Sequence, residues 1–417
     1  MTTHRPRPQI PPSDPSKTII GVRRIFAMET PNFFVLLGTT VFLVAFGLVM
    51  VLSSSSIESH LQNQSFFALF LKQGLYAIVG IPLMLIASRM PTAFWKRMAR
   101  PAIIIGIVLQ LVVVFTPLGF EYGGNRNWIS FAPGVNVQPS EFVKLALIVW
   151  IAFVFTRPAV ENGDWKRYFV PVGAAALVSI GLVLAGRDLG TAVIMFFIVF
   201  GSFYFAGVRL RYLLASGAVV GVLGIMFAFA SSSRTERINA WLYGCTEAQY
   251  LNDCWQQTHG TWALAAGGVF GVGLGNSKAK WSWLPESDND YIFAIIGEEL
   301  GLIGAVVVLL LFVVLAVAFI RIIRASTDPF ARTVTSGVMV WIIGQALVNI
   351  AVVVGLLPVL GVPLPLISAG GSALISSLLA IGVVLSFARE HPVRAATGDL
   401  SPAERSRLAA IDRSRLR

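Results

Sequence analysis

Residues 291–320 read YIFAIIGEELGLIGAVVVLLLFVVLAVAFI, and from Leu300 onward this stretch contains no charged residue. A bilayer core about 30 Å thick is crossed by roughly 20 apolar residues in a helix, so the stretch is long enough to span a membrane. The whole chain has the same character. Of its 417 residues 56% are hydrophobic and 13% are charged, whereas soluble domains carry about 25% charged residues. This composition excludes a soluble globular protein and predicts an all-α integral membrane protein.

Outward from this stretch, ten apolar segments are long enough to cross the bilayer, and residues 291–320 form the eighth. They lack the alternating pattern of a transmembrane β-barrel. The predicted organisation is a disordered tail at 1–32, a ten-helix membrane domain at 33–390 with a large extracytoplasmic loop at 231–290 between spans seven and eight, and a basic tail at 391–417. The ten predicted spans are Phe33–Ser54, Phe66–Ala87, Pro101–Leu118, Ser140–Phe155, Tyr168–Ala185, Gly190–Val208, Tyr212–Ala230, Tyr291–Ile320, Val334–Leu357 and Ser372–Phe387.

Lysine and arginine are distributed unevenly between the two predicted sides of the membrane. The two tails and the loops after spans two, four, six and eight hold 24 of the 32 basic residues but only 9 of the 21 acidic ones. Because cytoplasmic loops carry an excess of Lys and Arg, both termini are predicted to be cytoplasmic. The net charge of +11 is therefore mainly an orientation signal. Nucleic acid is not an expected partner, since no basic module with interleaved aromatic residues accompanies the charge.

Ionisable side chains at membrane depth are costly and by default mark function, and four clusters of them lie near the predicted outer face. The first comprises Arg126 and Trp128 before the fourth span, and Gln138, Glu141 and Lys144 at its start. Glu141 and Lys144 are i,i+3 neighbours on one helical face. This cluster is either a buried ion pair that holds the helix or a binding site for an anionic head group.

Two further clusters have a structural and a functional interpretation. Arg187 and Asp188 are adjacent opposite charges at the turn between spans five and six, which is commonly only a structural feature. The glycine-rich segment 267–275 is followed by Lys278 and Lys280. Its spacing matches neither the dinucleotide fingerprint nor the P-loop. Its glycines either make turns or bring backbone N–H groups close to a phosphate.

The remaining cluster contains the candidate base. Glu286, Asp288 and Asp290 precede the eighth span, and Asp290 stands where the apolar run begins. It should be the least solvated of the three, and desolvation raises a carboxyl pKa and makes the carboxylate a better base. The alternative is an aspartate that caps a helix. Glu299 lies about 180° around the helix from Asp290, so these two do not form an acid/base pair.

Both cysteines of the chain, Cys245 and Cys254, lie in the large predicted loop. An extracytoplasmic pair could form a disulfide, and two free thiols are the alternative. A metal site is not expected there, since His259 is the only nearby histidine. The sequence contains neither a recognisable Ser-His-Asp set nor a zinc-spaced His/Cys cluster. Carboxylates, cations and glycines at the outer leaflet suit a lipid-linked, phosphate-bearing substrate, and leave transfer and transport both open.

Taken together, the motifs of the chain resemble the SEDS (shape, elongation, division and sporulation) family of peptidoglycan glycosyltransferases. The charged N-terminal tail, the serines at 53–56 and the Gly-Glu-Glu-Leu-Gly form are more similar to the FtsW branch than to the RodA branch. The resemblance covers about residues 30–390. The motifs that carry it are Asn-Arg-Asn-Trp-Ile at 125–129, Gln-Pro-Ser-Glu-Phe-Val-Lys at 138–144, Asp-Leu-Gly-Thr-Ala at 188–192, Gly-Leu-Gly-Asn-Ser at 273–277, Leu-Pro-Glu-x-x-x-Asp-Tyr-Ile-Phe-Ala at 284–294, Gly-Glu-Glu-Leu-Gly at 297–301 and Pro-Leu-Ile-Ser-Ala-Gly-Gly-Ser at 365–372.

This resemblance implies a plasma-membrane enzyme that polymerises lipid II at the outer leaflet during cell division. Asp290 would be the general base, and undecaprenyl pyrophosphate would leave. The charge of the leaving group needs cations, for which Arg126, Lys144 and Lys278 are the candidates, with Glu141 orienting Lys144. A divalent cation could share this task. The implied partners are a class B penicillin-binding protein and other membrane proteins of the divisome. The predicted substrate-binding residues are Arg126, Trp128, Gln138, Glu141, Lys144, Lys278 and Glu286.

Two other functions compete with the polymerase. A lipid II flippase needs a polar route across the full membrane depth, but the charges lie at the outer ends of the spans. Gln345 and Asn349 form the clearest inner polar pair. A non-enzymatic divisome scaffold would not need Asp290.

Overall fold

The computed structural model describes residues 29–61, 65–132, 135–157, 166–229, 232–244, 254–281 and 283–389. Ten of the twelve helices in these segments coincide with the ten predicted spans, and the other two, α8 and α9, lie in the large predicted loop. The helices are α1 (Pro31–Leu61), α2 (Ala68–Ala87), α3 (Thr92–Phe115), α4 (Pro139–Phe155), α5 (Lys166–Ala185), α6 (Leu189–Phe205), α7 (Leu210–Ala228), α8 (Ser232–Tyr243), α9 (Trp255–Gly267), α10 (Ile292–Ala325), α11 (Pro329–Val353) and α12 (Gly371–Arg389).

Six of the described helices are long and apolar enough to cross a membrane, namely α1, α2, α3, α10, α11 and α12. Parts of α5 and α6 are apolar but shorter. A predominantly helical, multi-pass membrane protein is therefore confirmed. The count of ten spans, the cytoplasmic termini, the extracytoplasmic loop and the division into domains stay predictions. The predicted tails at 1–32 and 391–417 lie outside the described residues, except for the last four positions of the first.

The all-α prediction is wrong in the segment between the third and fourth spans. Three antiparallel strands in the order β1-β2-β3 occupy it: β1 (Gly119–Tyr122), β2 (Asn125–Ala132) and β3 (Val135–Val137). Gly123 and Gly124 join the first two strands with φ angles of 58° and 81°. Positive φ at both central residues is what a two-residue hairpin turn requires, and glycine adopts it without steric cost. The strands are too short to produce an apolar period that stands out beside the spans.

The third span also begins earlier than predicted. Helix α3 starts at Thr92 and continues through Pro101, so Lys96, Arg97 and Arg100 lie on the helix rather than in a loop. The prediction started the span at Pro101 because the apolar run begins there. A helix that extends beyond the hydrocarbon layer can carry charged side chains in its first turns, and hydropathy does not detect these turns.

Helix α4 lies at the centre of the bundle. It packs against α3, α5, α6, α11 and α12, and its side chains are buried on nearly every face. Helix α2 packs mainly on α12 and α1, while α3 packs on α4. The consecutive helices α2 and α3 therefore have different main neighbours, and their outward faces are apolar and exposed.

Helix α10 is broken at Gly301, whose φ of 68° and ψ of −166° are not helical. The break frees the carbonyl groups of Glu298 and Glu299, which accept hydrogen bonds from the backbone N–H groups of Val272 and Gly273, both at 3.0 Å. Beyond the break, Leu302 N donates to the carbonyl of the glycine-rich segment at residue 268, at 2.9 Å. The backbone of the glycine-rich segment is therefore hydrogen-bonded to the backbone of α10 on both sides of the break. Of the two interpretations of this segment, turn formation and phosphate binding, the structure supports turn formation.

We expect Gly301→Ala to lower the free energy of unfolding by about 1–3 kcal/mol, the cost of a non-glycine residue in such a strained region. A Cβ there would also collide with backbone atoms of Val269 and Gly271. Thermal unfolding of the purified protein in detergent measures the effect. Gly344→Ala is the matched control, because a Cβ at this helical position meets no atom within 4 Å. Equal melting temperatures for the two variants would contradict the proposed role of the break.

Candidate functional site

A cavity of about 640 Å³ lies at the end of the bundle where α4 and α10 begin. One face of α2, the sheet, the start of α4, the turn between α5 and α6, helix α8, the 286–290 segment and the 358–373 segment line it. Its charged lining includes three cations and five carboxylates: Lys72, Arg187, Arg237, Glu141, Asp188, Glu286, Asp288 and Asp290. This volume and this mixture of charges suit a polar ligand with anionic groups.

Asp290 stands in the cavity wall, two residues before α10 begins. Its backbone is held on both sides. Asn349 Nδ2 on α11 donates to the Asp290 carbonyl at 2.7 Å and to the Val362 carbonyl at 2.7 Å. Ser368 Oγ donates to the Asn289 carbonyl, also at 2.7 Å. The Asp290 carboxylate therefore has a fixed position relative to α11 and to the 358–373 segment.

The pKa of Asp290 is raised to about 8. Desolvation by burial is the main cause, and the negative charges of Glu286, Asp188 and Asp288 raise it further. At neutral pH this carboxyl is therefore largely protonated but close to its titration point. A general base is most effective when its pKa lies near the operating pH. Capping of α10 by this side chain receives no support, since no side chain caps the start of that helix.

Asp188 connects three elements at the cavity wall. Its carboxylate accepts hydrogen bonds from Asn127 Nδ2 at 3.0 Å, Gln138 Nε2 at 3.1 Å and the backbone N–H of Thr191 at 2.9 Å. Burial raises its pKa. It thus caps α6 and ties that helix to β2 and α4. The adjacent Arg187 has a φ of 65° and lines the cavity, so this turn is part of the site.

The structure brings five of the predicted site residues to the cavity: Trp128, Gln138, Glu141, Glu286 and Asp290. Arg126, Lys144 and Lys278 are not among the lining residues. Arg126 donates from Nη2 to the Thr116 carbonyl at 2.8 Å and from Nε to the Val113 carbonyl at 3.3 Å. Its guanidinium group therefore holds the sheet against the end of α3.

Glu141 and Lys144 form the predicted i,i+3 ion pair, with 2.8 Å between Oε1 and Nζ. Lys144 is 1% exposed, and its Nζ also donates to Gln345 Oε1 at 3.2 Å and lies 4.7 Å from the centre of the Trp341 ring. Gln345 Nε2 in turn donates to the Pro363 carbonyl at 2.9 Å. Lys144 therefore lies beneath the cavity wall that Glu141 lines, and the pair joins α4 to α11.

A second buried ion pair anchors the break in α10. Lys280 Nζ lies 3.0 Å from Glu299 Oε1, and Ser53 Oγ donates to the same carboxylate at 2.6–2.7 Å. Glu298 accepts hydrogen bonds from the backbone N–H groups of Lys278 at 2.9 Å and of residue 279 at 3.3 Å. These N–H groups are already bonded to protein carboxylates. The N–H groups of Gly268, Gly271 and Gly273 likewise donate to protein carbonyl groups, so the structure does not support the phosphate-binding interpretation of the glycine-rich segment.

Sequence reasoning missed three residues of the lining: Lys72, Arg187 and Arg237. For Lys72 a signal existed, because it is a lone charge inside the second predicted span and such charges usually mark function. Arg187 belongs to one of the four clusters singled out from the sequence, for which the structural and the functional interpretation both stayed open. Arg237 lies on α8 within a semi-polar loop, and nothing in its spacing indicated which way that helix faces.

Two further predictions have a limited outcome. Cys254 is buried and disulfide-bonded, but its predicted partner Cys245 lies outside the described residues. Within the described ranges, no group of three or more His, Cys, Asp or Glu residues is arranged to hold a metal ion. The sequence left the need for a divalent cation open, and it stays open.

Comparisons with known proteins agree on one family. Residues 34–392 match the family model FTSW_RODA_SPOVE, described as "Cell cycle protein". The chain is 39% identical over 361 residues to the probable peptidoglycan glycosyltransferase FtsW of Mycobacterium tuberculosis, covering 87% of this chain and 68% of that protein. It is 36% identical over 365 residues to the protein of the same name from Trichlorobacter lovleyi, covering 87% and 95%.

Solved structures share the fold. One, reported under "Structural coordination of polymerization and crosslinking by a peptidoglycan synthase complex", gives a TM-score of 0.71 at 25% identity, covering 86% of this chain and 97% of that chain. The rod shape determining protein RodA of Thermus thermophilus gives a TM-score of 0.63 at 24% identity, with the same coverage of 86% and 97%.

We expect Lys144→Ala to lower the free energy of unfolding by about 3–5 kcal/mol, because it leaves the Glu141 carboxylate buried and unpaired. The double variant Glu141→Gln/Lys144→Met removes both charges and should regain most of the loss. Thermal unfolding in detergent compares the three proteins. A Lys144→Ala protein as stable as the unmodified one would show that the pair does not hold α4 to α11.

Proposed function

Because the chain belongs to the FtsW/RodA/SpoVE family of cell cycle proteins, we propose that it polymerises lipid II into glycan strands with Asp290 as the general base. The resemblance inferred from the sequence motifs is confirmed, and the chain is a peptidoglycan glycosyltransferase of this family. The substrate, the catalytic residues, the site on the outer leaflet and the role in division are parts of the proposal.

One observation carries the catalytic assignment: a carboxylate of raised pKa lies in the wall of a cavity that also contains cations. In the proposed reaction the Asp290 carboxylate takes the proton of the acceptor's 4-hydroxyl group. The hydroxyl oxygen attacks the anomeric carbon of the donor and forms the new glycosidic bond with inversion. The bond from this carbon to the pyrophosphate oxygen breaks, and undecaprenyl pyrophosphate leaves with the electron pair.

The developing charge on the pyrophosphate needs preorganised cations. Arg126 and Lys144 donate hydrogen bonds to protein groups, and neither they nor Lys278 line the cavity. Among the described residues, Lys72, Arg187 and Arg237 are the cations of the lining. We therefore assign the pyrophosphate to these three. Trp128, Gln138 and Glu286 remain candidates for contacts with the sugars, and Glu141 orients Lys144 beneath them.

The position of Lys72 supports a lipid-linked substrate. Lys72, Gln73 and Tyr76 share the face of α2 that lines the cavity, while Leu71 and Ile78 on the other face are 62% and 71% exposed. A polar head group can occupy the cavity while its hydrocarbon chain lies in the membrane beside α2. The space between α2 and α3 suits this entry, because the two helices pack on different neighbours.

The competing flippase receives less support. A flippase must carry the head group through the bundle, but the Glu141–Lys144 pair closes the cavity below, with both side chains at most 4% exposed. Gln345, one of the two inner polar residues, donates and accepts hydrogen bonds within the same buried network. Opening this route would break a buried ion pair, which is costly.

The proposed partner is a class B penicillin-binding protein that supplies the crosslinking activity, with other divisome membrane proteins nearby. A structural neighbour reported as a synthase complex that coordinates polymerisation and crosslinking supports this proposal. The proposed location is the plasma membrane, with both termini in the cytoplasm. This orientation rests on the distribution of Lys and Arg.

We expect Asp290→Asn to reduce polymer formation by a factor of about 10² to 10⁴, the usual effect of removing a general base. The substitution keeps the size of the side chain but cannot accept the proton. The assay uses purified lipid II and the protein together with its partner. Full activity of this variant would leave the proposed mechanism without its base.

The pH profile provides a sharper control. A base must be deprotonated, so activity should rise with pH as Asp290 ionises around its pKa of about 8. Asp288→Asn removes a neighbouring negative charge that raises this pKa. The variant should therefore stay active, with its midpoint moved to lower pH. An unchanged midpoint, or a loss as large as that of Asp290→Asn, would mean that the wrong carboxylate has been chosen.

Substitution of cations compares two assignments of the pyrophosphate-binding residues: the one based on the cavity lining and the one based on the sequence. Arg187→Gln and Arg237→Gln should each lower kcat/KM about tenfold or more, since each removes a charge-assisted hydrogen bond to the leaving group. Lys278→Gln is the comparison, because this residue lies outside the lining. A larger loss from Lys278→Gln than from either arginine variant would favour the assignment made from the sequence. Steady-state kinetics with lipid II measures all three.

A further inference from the structure

Two arginines meet over one aromatic ring at the end of α4 remote from the cavity. The guanidinium carbon of Arg100 lies 5.7 Å from the centre of the Phe153 ring, and that of Arg157 lies 4.6 Å from it. Arg157 also lies 5.9 Å from the Trp150 ring. Glu141 and Arg157 are sixteen positions apart on the chain, which corresponds to about 24 Å of helix. The pair is therefore separate from the catalytic cavity.

This arrangement is costly unless an anion compensates it. The two guanidinium groups repel each other, and burial together with the charge of Arg100 lowers the pKa of Arg157. Nη2 of Arg157 is buried and has no hydrogen-bond partner among the described residues. No ion pair between described residues involves either arginine. A buried donor without an acceptor costs free energy, so the geometry calls for an acceptor with negative charge.

The surface of α3 next to Arg100 indicates which anion fits. Continuing from Arg100 at helical spacing, Ile104, Val108, Leu111 and Phe115 follow on one face, and their exposures are 60%, 50%, 40% and 70%. A soluble anion would leave this apolar stripe uncovered. An acyl chain would cover it, while a phosphate at its head would reach the arginines.

We propose that Arg100 and Arg157 bind the phosphate of an anionic phospholipid whose acyl chain lies along the 104–115 face of α3. Arginine is suited to this role because its planar guanidinium group can donate two parallel hydrogen bonds to a phosphate. Phe153 supports both guanidinium groups by cation–π contact. The site would fix a membrane lipid at the junction of α3 and α4. It does not depend on the catalytic assignment.

Native mass spectrometry of the full-length protein in mild detergent tests the proposal. The protein is titrated with phosphatidylglycerol or with phosphatidylcholine of the same acyl chains, and the phosphatidylglycerol titration is repeated in the presence of inorganic phosphate. The unmodified protein should bind phosphatidylglycerol about tenfold or more tightly than phosphatidylcholine, because the choline group of the second lipid brings a positive charge next to the two arginines. Arg100→Gln/Arg157→Gln should bring this ratio close to one. Arg100→Gln alone changes an exposed side chain, should fold normally and should lower the ratio.

Arg324→Gln is the matched control. Arg324 is an exposed arginine in the last turn of α10, and its replacement should leave the lipid preference intact. An equal loss in this variant would reduce the effect to general charge and overturn the site. An unchanged ratio in the double variant would also overturn it, because the lipid preference would then arise elsewhere on the protein. Complete displacement of phosphatidylglycerol by inorganic phosphate would contradict the role of the acyl chain.

Discussion

Charges buried inside a membrane bundle must be paired, because an isolated ion there costs several kcal/mol. Two pairs among the described residues meet this condition, and one lies at the cavity while the other lies at the break in α10. Glu141 and Lys144 join α4 to α11 at the cavity, and Lys280 and Glu299 hold the break of α10. Because these pairs fix the neighbouring helices, the polar groups of the cavity can face one another. The polar lining does not continue as a route through the bundle.

The broken helix explains the position of Asp290, the proposed base. The nine residues of α10 before Gly301 form a short rigid segment, anchored below by Glu298 and Glu299 and preceded by Asp290. The unfolded carboxyl ionises near pH 3.9, whereas in the fold its pKa is about 8. Between these values the unfolded chain binds fewer protons, so this group destabilises the fold as pH rises. The fold therefore tolerates a local loss of stability at the position of the proposed base.

Helix α4 relates the two ends of the molecule. Its first turn carries Glu141 at the cavity, and its last turn leads to Phe153 and the two arginines. Its nearly complete burial holds the proposed substrate site and the proposed lipid site at a fixed distance from each other. The two sites differ in how their charges are balanced. The cavity contains both carboxylates and cations, whereas the charge of the arginine pair is balanced by the proposed membrane lipid.

The sequence by itself determined the membrane class, the positions of ten helices, the family and the i,i+3 pair of Glu141 and Lys144. Apolar runs and helical spacing are local properties, so a single chain reveals them. It also marked Asp290, because the boundary of an apolar run predicts desolvation. Only the tertiary structure decided that Arg187 and Arg237, rather than Arg126, face the cavity. Which way a side chain points between elements depends on how helices pack and rotate against each other, and spacing along the chain does not contain this information.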